Sequence, residues 1–163
     1  MSGIKKFKLT RAVHANRGIA ARYHSQLLAL IEEMGASVEY WLKAAYRKEP
    51  PAVAALAQDA TPANEIRKVL RDLAKRWLTR FDESAPKIAE AYVRKMFKAS
   101  DSAMRAALKE AGWSVDFEIN KAMRDALDAS ISENISLIKS IPEQYLTKVE
   151  GAVYRSYSAG RDL

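Results

Sequence analysis

Apolar side chains recur at spacings of three and four from Tyr23 through Leu27, Leu30, Ile31, Met34, Val38, Trp41 and Leu42. This is the period of one helical face, because 3.6 residues complete a turn. The spacing predicts a long amphipathic helix from about Asn16 to about Lys48. Gly35 lies inside it and weakens it by about 1 kcal/mol relative to alanine. Pro50 and Pro51 stop it, since a proline nitrogen has no hydrogen to donate. Residues 52–57 could add a short helix. Thr61 then offers a cap, and Pro62 a first helical residue whose missing N–H costs nothing. Ile66, Leu70, Leu73, Trp77 and Phe81 form the stripe of a second long helix.

Pro86 leaves two readings of the next stretch. Either Ser84 caps a new helix with Pro86 in its first turn, or one helix kinks at Pro86. Ile88, Tyr92, Met96 and Phe97 carry an apolar face on to about Ala99. Ser100 or Asp101 then reads as the cap of a short helix ending at Gly112, a natural left-handed C-terminal position. Residues 112–116 read as a connector, with Asp116 capping the helix that follows. Ile119, Met123, Leu127, Ile131, Ile135 and Ile138 make its stripe. Ser140, Ile141, Pro142 and Glu143 read as a hinge: Ser140 caps the last helix, Pro142 falls in its first turn, and Glu143 completes the capping box. Tyr145, Val149, Val153 and Tyr157 line that helix, and Gly160 ends it. Ile135, Ile138, Ile141 and Tyr145 are expected to be buried around the hinge. No stretch alternates with the period of a strand. The expected fold is all-α, a bundle of about six amphipathic helices, several of them long, with the apolar faces packed on one another.

Composition agrees with this. Of 163 residues, 48% are apolar and 29% charged, with 6 Gly and 5 Pro, which favours a globular helical chain. The chain has 0 Cys, which excludes disulfides, thiolate chemistry and cysteine-based zinc sites. No apolar run is long enough to span a bilayer. The N-terminus has no apolar stretch behind its lysines, so no signal peptide is read there and synthesis in the cytoplasm is expected. Stripes this regular are expected to pack in a bundle rather than lie on a membrane.

Charge adds a second feature. The formal net charge is +7, and Lys5, Lys6, Lys8, Arg11, Arg17 and Arg22 stand in residues 1–24 without an acid. Residues 1–15 therefore read as a basic, flexible arm, and 16–163 as the helical domain. Such an arm can sit on nucleic acid or an acidic protein surface, or be simply a solvated terminus. The run 67–80 is the second basic segment. Arg67, Arg71 and Lys75 share a helical face, with Lys68 and Arg76 beside them, a spacing that can match phosphates. Glu65 and Asp72 interleave, and no aromatic ladder is evident, so the pattern favours an ordinary solvated face. The aromatic residues fall mainly on the apolar stripes, Trp113 excepted.

Candidate catalysis is sparse. His14 and His24 make no metal pattern. Glu32–Glu33 and Asp82–Glu83 are adjacent pairs whose side chains diverge by about 100° on a helix, which does not suit a converging acid–base pair. There is no Ser/His/Asp grouping and no glycine-rich phosphate loop. The expectation is a protein that is not an enzyme and takes no cofactor.

Three blocks resemble the N-terminal helical region of phage head morphogenesis proteins, the Mu F-like minor head proteins. The first is residues 15–19 leading to Tyr23, then Leu27 through 30–34, and 37–46. The second is residues 59–64, followed by Arg76-Trp77 and Arg80-Phe81-Asp82. The third is residues 133–142 with Tyr145, Val149-Glu150 and Gly160-Arg161. None is a catalytic motif. The resemblance implies a structural virion protein in the head interior or at the portal vertex, made in the host bacterial cytoplasm and acting in head assembly and DNA packaging or delivery. The implied partners are portal, major capsid or scaffolding proteins and phage DNA, with several copies in each head. The family's second half would follow the last helix, so the chain is expected to correspond to the first half. From the residues alone, the alternative is a basic helical nucleic-acid-binding module.

Overall fold

The computed structural model describes residues 12–48, 61–116 and 118–158. Within them the chain forms three helices rather than about six: α1 (Arg17–Lys48), α2 (Thr61–Glu110) and α3 (Lys121–Ser158). The all-α class stands; the number of helices does not. The arm at 1–11, the short helix expected at 52–57, the stop at Pro50–Pro51 and the end at Gly160 lie outside the described residues.

The overestimate has one cause, namely local stop and start signals that packing overrides. Of the two readings at Pro86, the one-helix reading holds, and α2 continues through it with no cap at Ser84. Asp82 and Pro86 are both exposed, so the carbonyl that Pro86 leaves without an N–H lies on the solvent side. Neither Ser100 nor Asp101 caps a new helix; Asp101 instead accepts from Arg105 Nε one turn on, at 2.9 Å. The hinge at Ser140, Ile141, Pro142 and Glu143 is likewise absent, and α3 continues across it. Ser140 Oγ donates back to the Leu137 carbonyl at 2.8 Å and accepts from Gln144 Nε2 at 3.1 Å, so it caps nothing. Ile138, Pro142 and Leu146 are buried on one face at spacing four. A turn between them would break that phase.

True caps appear at the starts of α1 and α3. Asn16 Oδ1 accepts from Ile19 N at 3.1 Å, and Asn120 Oδ1 from Met123 N at 2.9 Å. Asn120, not Asp116, therefore caps α3. At the end of α2, Gly112 takes φ of +89°, and Trp113 N donates to the Leu108 carbonyl at 2.9 Å. This is the left-handed C-terminal turn expected of that glycine.

α1 and α3 both run antiparallel to α2. Tyr23 stacks on Tyr92, Glu33 pairs with Arg80, and Ser37 accepts from Trp77 Nε1, so α2 descends as α1 ascends. Lys139–Asp82 and Tyr154–Arg67 set the same sense for α3. In α1 the core row is Leu30, Met34, Val38, Leu42 and Tyr46. A row at spacing four drifts by about 40° per step, so it winds round the helix along the i±4 ridge. Ile66, Leu70, Leu73, Trp77, Phe81, Ala85 and Ala89 of α2 and Ile138, Leu146 and Val153 of α3 join it in one core, and Val93 and Pro142 are buried as well. Among the described residues no charged or polar side chain is buried.

α1 and α3 meet at two places. Tyr23 Oη donates to Asn134 Oδ1 at 3.1 Å. Gly35 faces Tyr145 so closely that a Cβ would come 3.2 Å from its hydroxyl oxygen. Of the residues expected to be buried around the hinge, Ile138 is; Ile135, Ile141 and Tyr145 are half-buried.

Candidate interaction surface

The basic run on α2 fans around its exposed side instead of forming one row. Arg67 lies over the Tyr154 ring, 5.8 Å from its centre. Arg71 lines a groove between α2 and α3 with Leu78, Glu143, Leu146 and Glu150. Lys68 and Lys75 are exposed, and at two turns' separation they share a face. Arg76 leans the other way and sits 5.8 Å from the Trp41 ring centre. Arg80 pairs with Glu33 at 2.8 Å. Thus Arg67, Lys68, Arg71 and Lys75 are all solvent-accessible, but the first and third belong to the α3 edge.

The other basic segment is not brought to them. Arg17 opens α1 and is exposed. Arg22 lines a groove with Ala91, Tyr92 and Lys95. Lys95 is 20 residues beyond Lys75 along α2, about 30 Å at 1.5 Å per residue. Lys5, Lys6, Lys8 and Arg11 lie outside the described residues.

Two aromatic side chains join the basic run from α1. Tyr40 is 66% exposed and Trp41 42%. Their rings meet edge to face with centres 5.4 Å apart. Trp41 forms one wall of a groove of about 200 Å³ whose other walls are Val69, Asp72, Leu73 and Arg76. Sequence reasoning placed Trp41 in the apolar stripe and so found no exposed aromatics here. A signal was present: Tyr40 follows the core residue Val38 by two positions, or about 200° round the helix.

The charge is strongly polarised along the bundle. The end formed by residues 34–48, 61–80 and 141–158 carries eleven Lys and Arg against five Asp and Glu. The remaining described residues carry eleven against twelve. The +7 of the chain is thus carried largely by the end that bears Tyr40 and Trp41, together with residues 1–11. Around the opposite end of α2, Met104, Trp113, Val115 and Ile119 are exposed apolar side chains.

The paired acids divide between helices. Glu33 pairs with Arg80, and Asp82 with Lys139 at 3.1 Å. Glu39, bonded to Lys43 one turn on, has its carboxyl held below the usual range by that hydrogen bond and by the ammonium charge. His14 and His24 are exposed, and among the described residues no group of three or more His, Asp and Glu is placed to hold a metal ion. No described helix is long and apolar enough to cross a membrane.

Comparison with known proteins yields no match, whether to a family model, a curated protein or a solved structure.

Proposed function

We propose that the chain is a structural, non-enzymatic component of a phage head, a minor head protein that binds portal, capsid or scaffolding subunits during assembly. The observation that supports this reading best is where the three resembling blocks fall. They touch one another: Tyr23 with Asn134, Glu33 with Arg80, Ser37 with Trp77, Trp41 with Arg76, and Lys139 with Asp82. Several of the contacts between helices thus join residues of the blocks, which suits a common scaffold better than a chance likeness of surface residues. A long helical rod that exposes apolar side chains towards both ends, Tyr40 and Trp41 at one and Met104, Trp113, Val115 and Ile119 near the other, also suits a subunit that works by contact.

The test is composition. Procapsids and mature particles of a phage encoding this chain are purified on density gradients and analysed by mass spectrometry. The chain is expected in both, in far fewer copies than the major capsid protein, and to be captured by the portal on co-expression. Its absence from both kinds of particle refutes the proposal.

A further inference from the structure

We infer that the basic end of the bundle is a binding surface for single-stranded nucleic acid, with Trp41 and Tyr40 as the stacking platform. The inference stands on the geometry of that end and does not rest on a role in phage heads. Three observations converge. Eleven cations face five anions over residues 34–48, 61–80 and 141–158, against near balance elsewhere. Two exposed rings stand within that field, Tyr40 and Trp41, from adjacent positions of α1. Arg76 bridges the two features, its guanidinium 5.8 Å from the indole centre and its groove shared with Trp41.

Tyr40 and Trp41 leave ring surface open beside these cations, and a base is the planar partner that a polyanion carries with it. Stacking on an exposed ring tolerates any sequence, because every base has a flat face, while Lys and Arg track the backbone. Lys68 and Lys75 are exposed on the next face of α2, about 100° round from the groove, where the backbone of a strand leaving the rings can meet them. A duplex keeps its bases stacked on one another and cannot use the rings in this way. The surface therefore favours unpaired strands over duplex of equal charge. An acidic polypeptide would answer the charge but would leave the rings without a stacking partner.

The test uses the full 163-residue chain and fluorescence anisotropy of a labelled 20-mer of thymidylate and of a 20-base-pair duplex. The single strand is expected to bind more tightly, with affinity falling linearly on a logarithmic salt axis. Trp41→Leu keeps an apolar contact with Val69 and Leu73 and is expected to lower single-strand affinity about tenfold with the salt slope unchanged. Trp41→Phe restores much of it. Lys68→Gln with Lys75→Gln is expected to flatten the slope instead. Circular dichroism melting confirms that each variant is folded. Should Trp41→Leu destabilise the fold, Tyr40→Ala, whose ring is mostly in solvent, carries the same comparison. The inference is overturned by absent binding at 50 mM salt, by ring variants that bind like the parent, by a duplex that binds as well as the strand, or by polyglutamate that displaces the strand at equal charge.

Discussion

Tyr23 links all three helices through one side chain. Its ring stacks on Tyr92 of α2 at 4.1 Å, and its hydroxyl donates to Asn134 of α3. Desolvation and, after it, the neighbouring Tyr92 push its pKa above the ordinary 10.0. The neutral phenol is thus the form that the fold favours. Its contribution is fully present below the unfolded pKa and is lost as pH rises through the higher folded one. Tyr23→Phe is expected to cost about 1 kcal/mol at neutral pH, the ordinary value of such a bond. The gap in melting temperature between parent and variant should close above about pH 10; a gap constant to pH 11 would show that the hydroxyl is not what Asn134 holds. Two glycines allow a cleaner test of backbone entropy. At Gly151 an added methyl would meet the mobile tip of Arg155 at 3.3 Å, whereas at Gly35 it would press on Tyr145, a residue of the α1–α3 contact. Gly151→Ala should stabilise by about 0.5–1 kcal/mol, and Gly35→Ala by less, in urea unfolding.

At the level of elements, the helices are decided by the phase of their buried faces and not by their punctuation. The stripes of α1 and of the first half of α2 were legible in the sequence, as was the turn at Gly112, because there the local signals and the packing agree. Where they disagree, packing prevails. Phe81, Ala85, Ala89 and Val93 keep one phase across Pro86, and Ile138, Pro142 and Leu146 keep one across Ser140. Alanine carries so little hydrophobic weight that the row through Ala85 and Ala89 does not stand out as core in a sequence rich in alanine. The exposed patch was missed for a related reason: Trp41 lies at the rim of a stripe whose core row runs through Val38 and Leu42, and periodicity alone does not separate rim from centre. Caps give the measurable contrast. Asn120→Ala removes a real cap and should cost about 1 kcal/mol, while Ser140→Ala, in mid-helix, should fall within about 0.5 kcal/mol of the parent. Pro86→Ala restores a backbone donor at an exposed position and should raise stability by up to about 3 kcal/mol. A loss there in thermal melts would mean that Pro86 ends a helix after all.

At the scale of the whole molecule, helix continuity sets shape, and shape separates the two ends. An α2 of 50 residues spans about 75 Å at 1.5 Å per residue, whereas six short helices folded back on one another would give a compact domain with a radius of gyration near 15 Å. The long spine is what keeps Tyr40, Trp41 and the basic side chains at one end while Met104, Trp113 and Ile119 remain near the other. A compact bundle would bring those surfaces much closer to each other. Small-angle scattering distinguishes the two shapes. The rod predicts a radius of gyration of roughly 20 Å or more with a maximum dimension of at least about 75 Å, set by α2 alone. Because the breaks expected at Ser100 and Ser140, and the break that was one of two readings at Pro86, would each shorten the spine, a value near 15 Å would restore them.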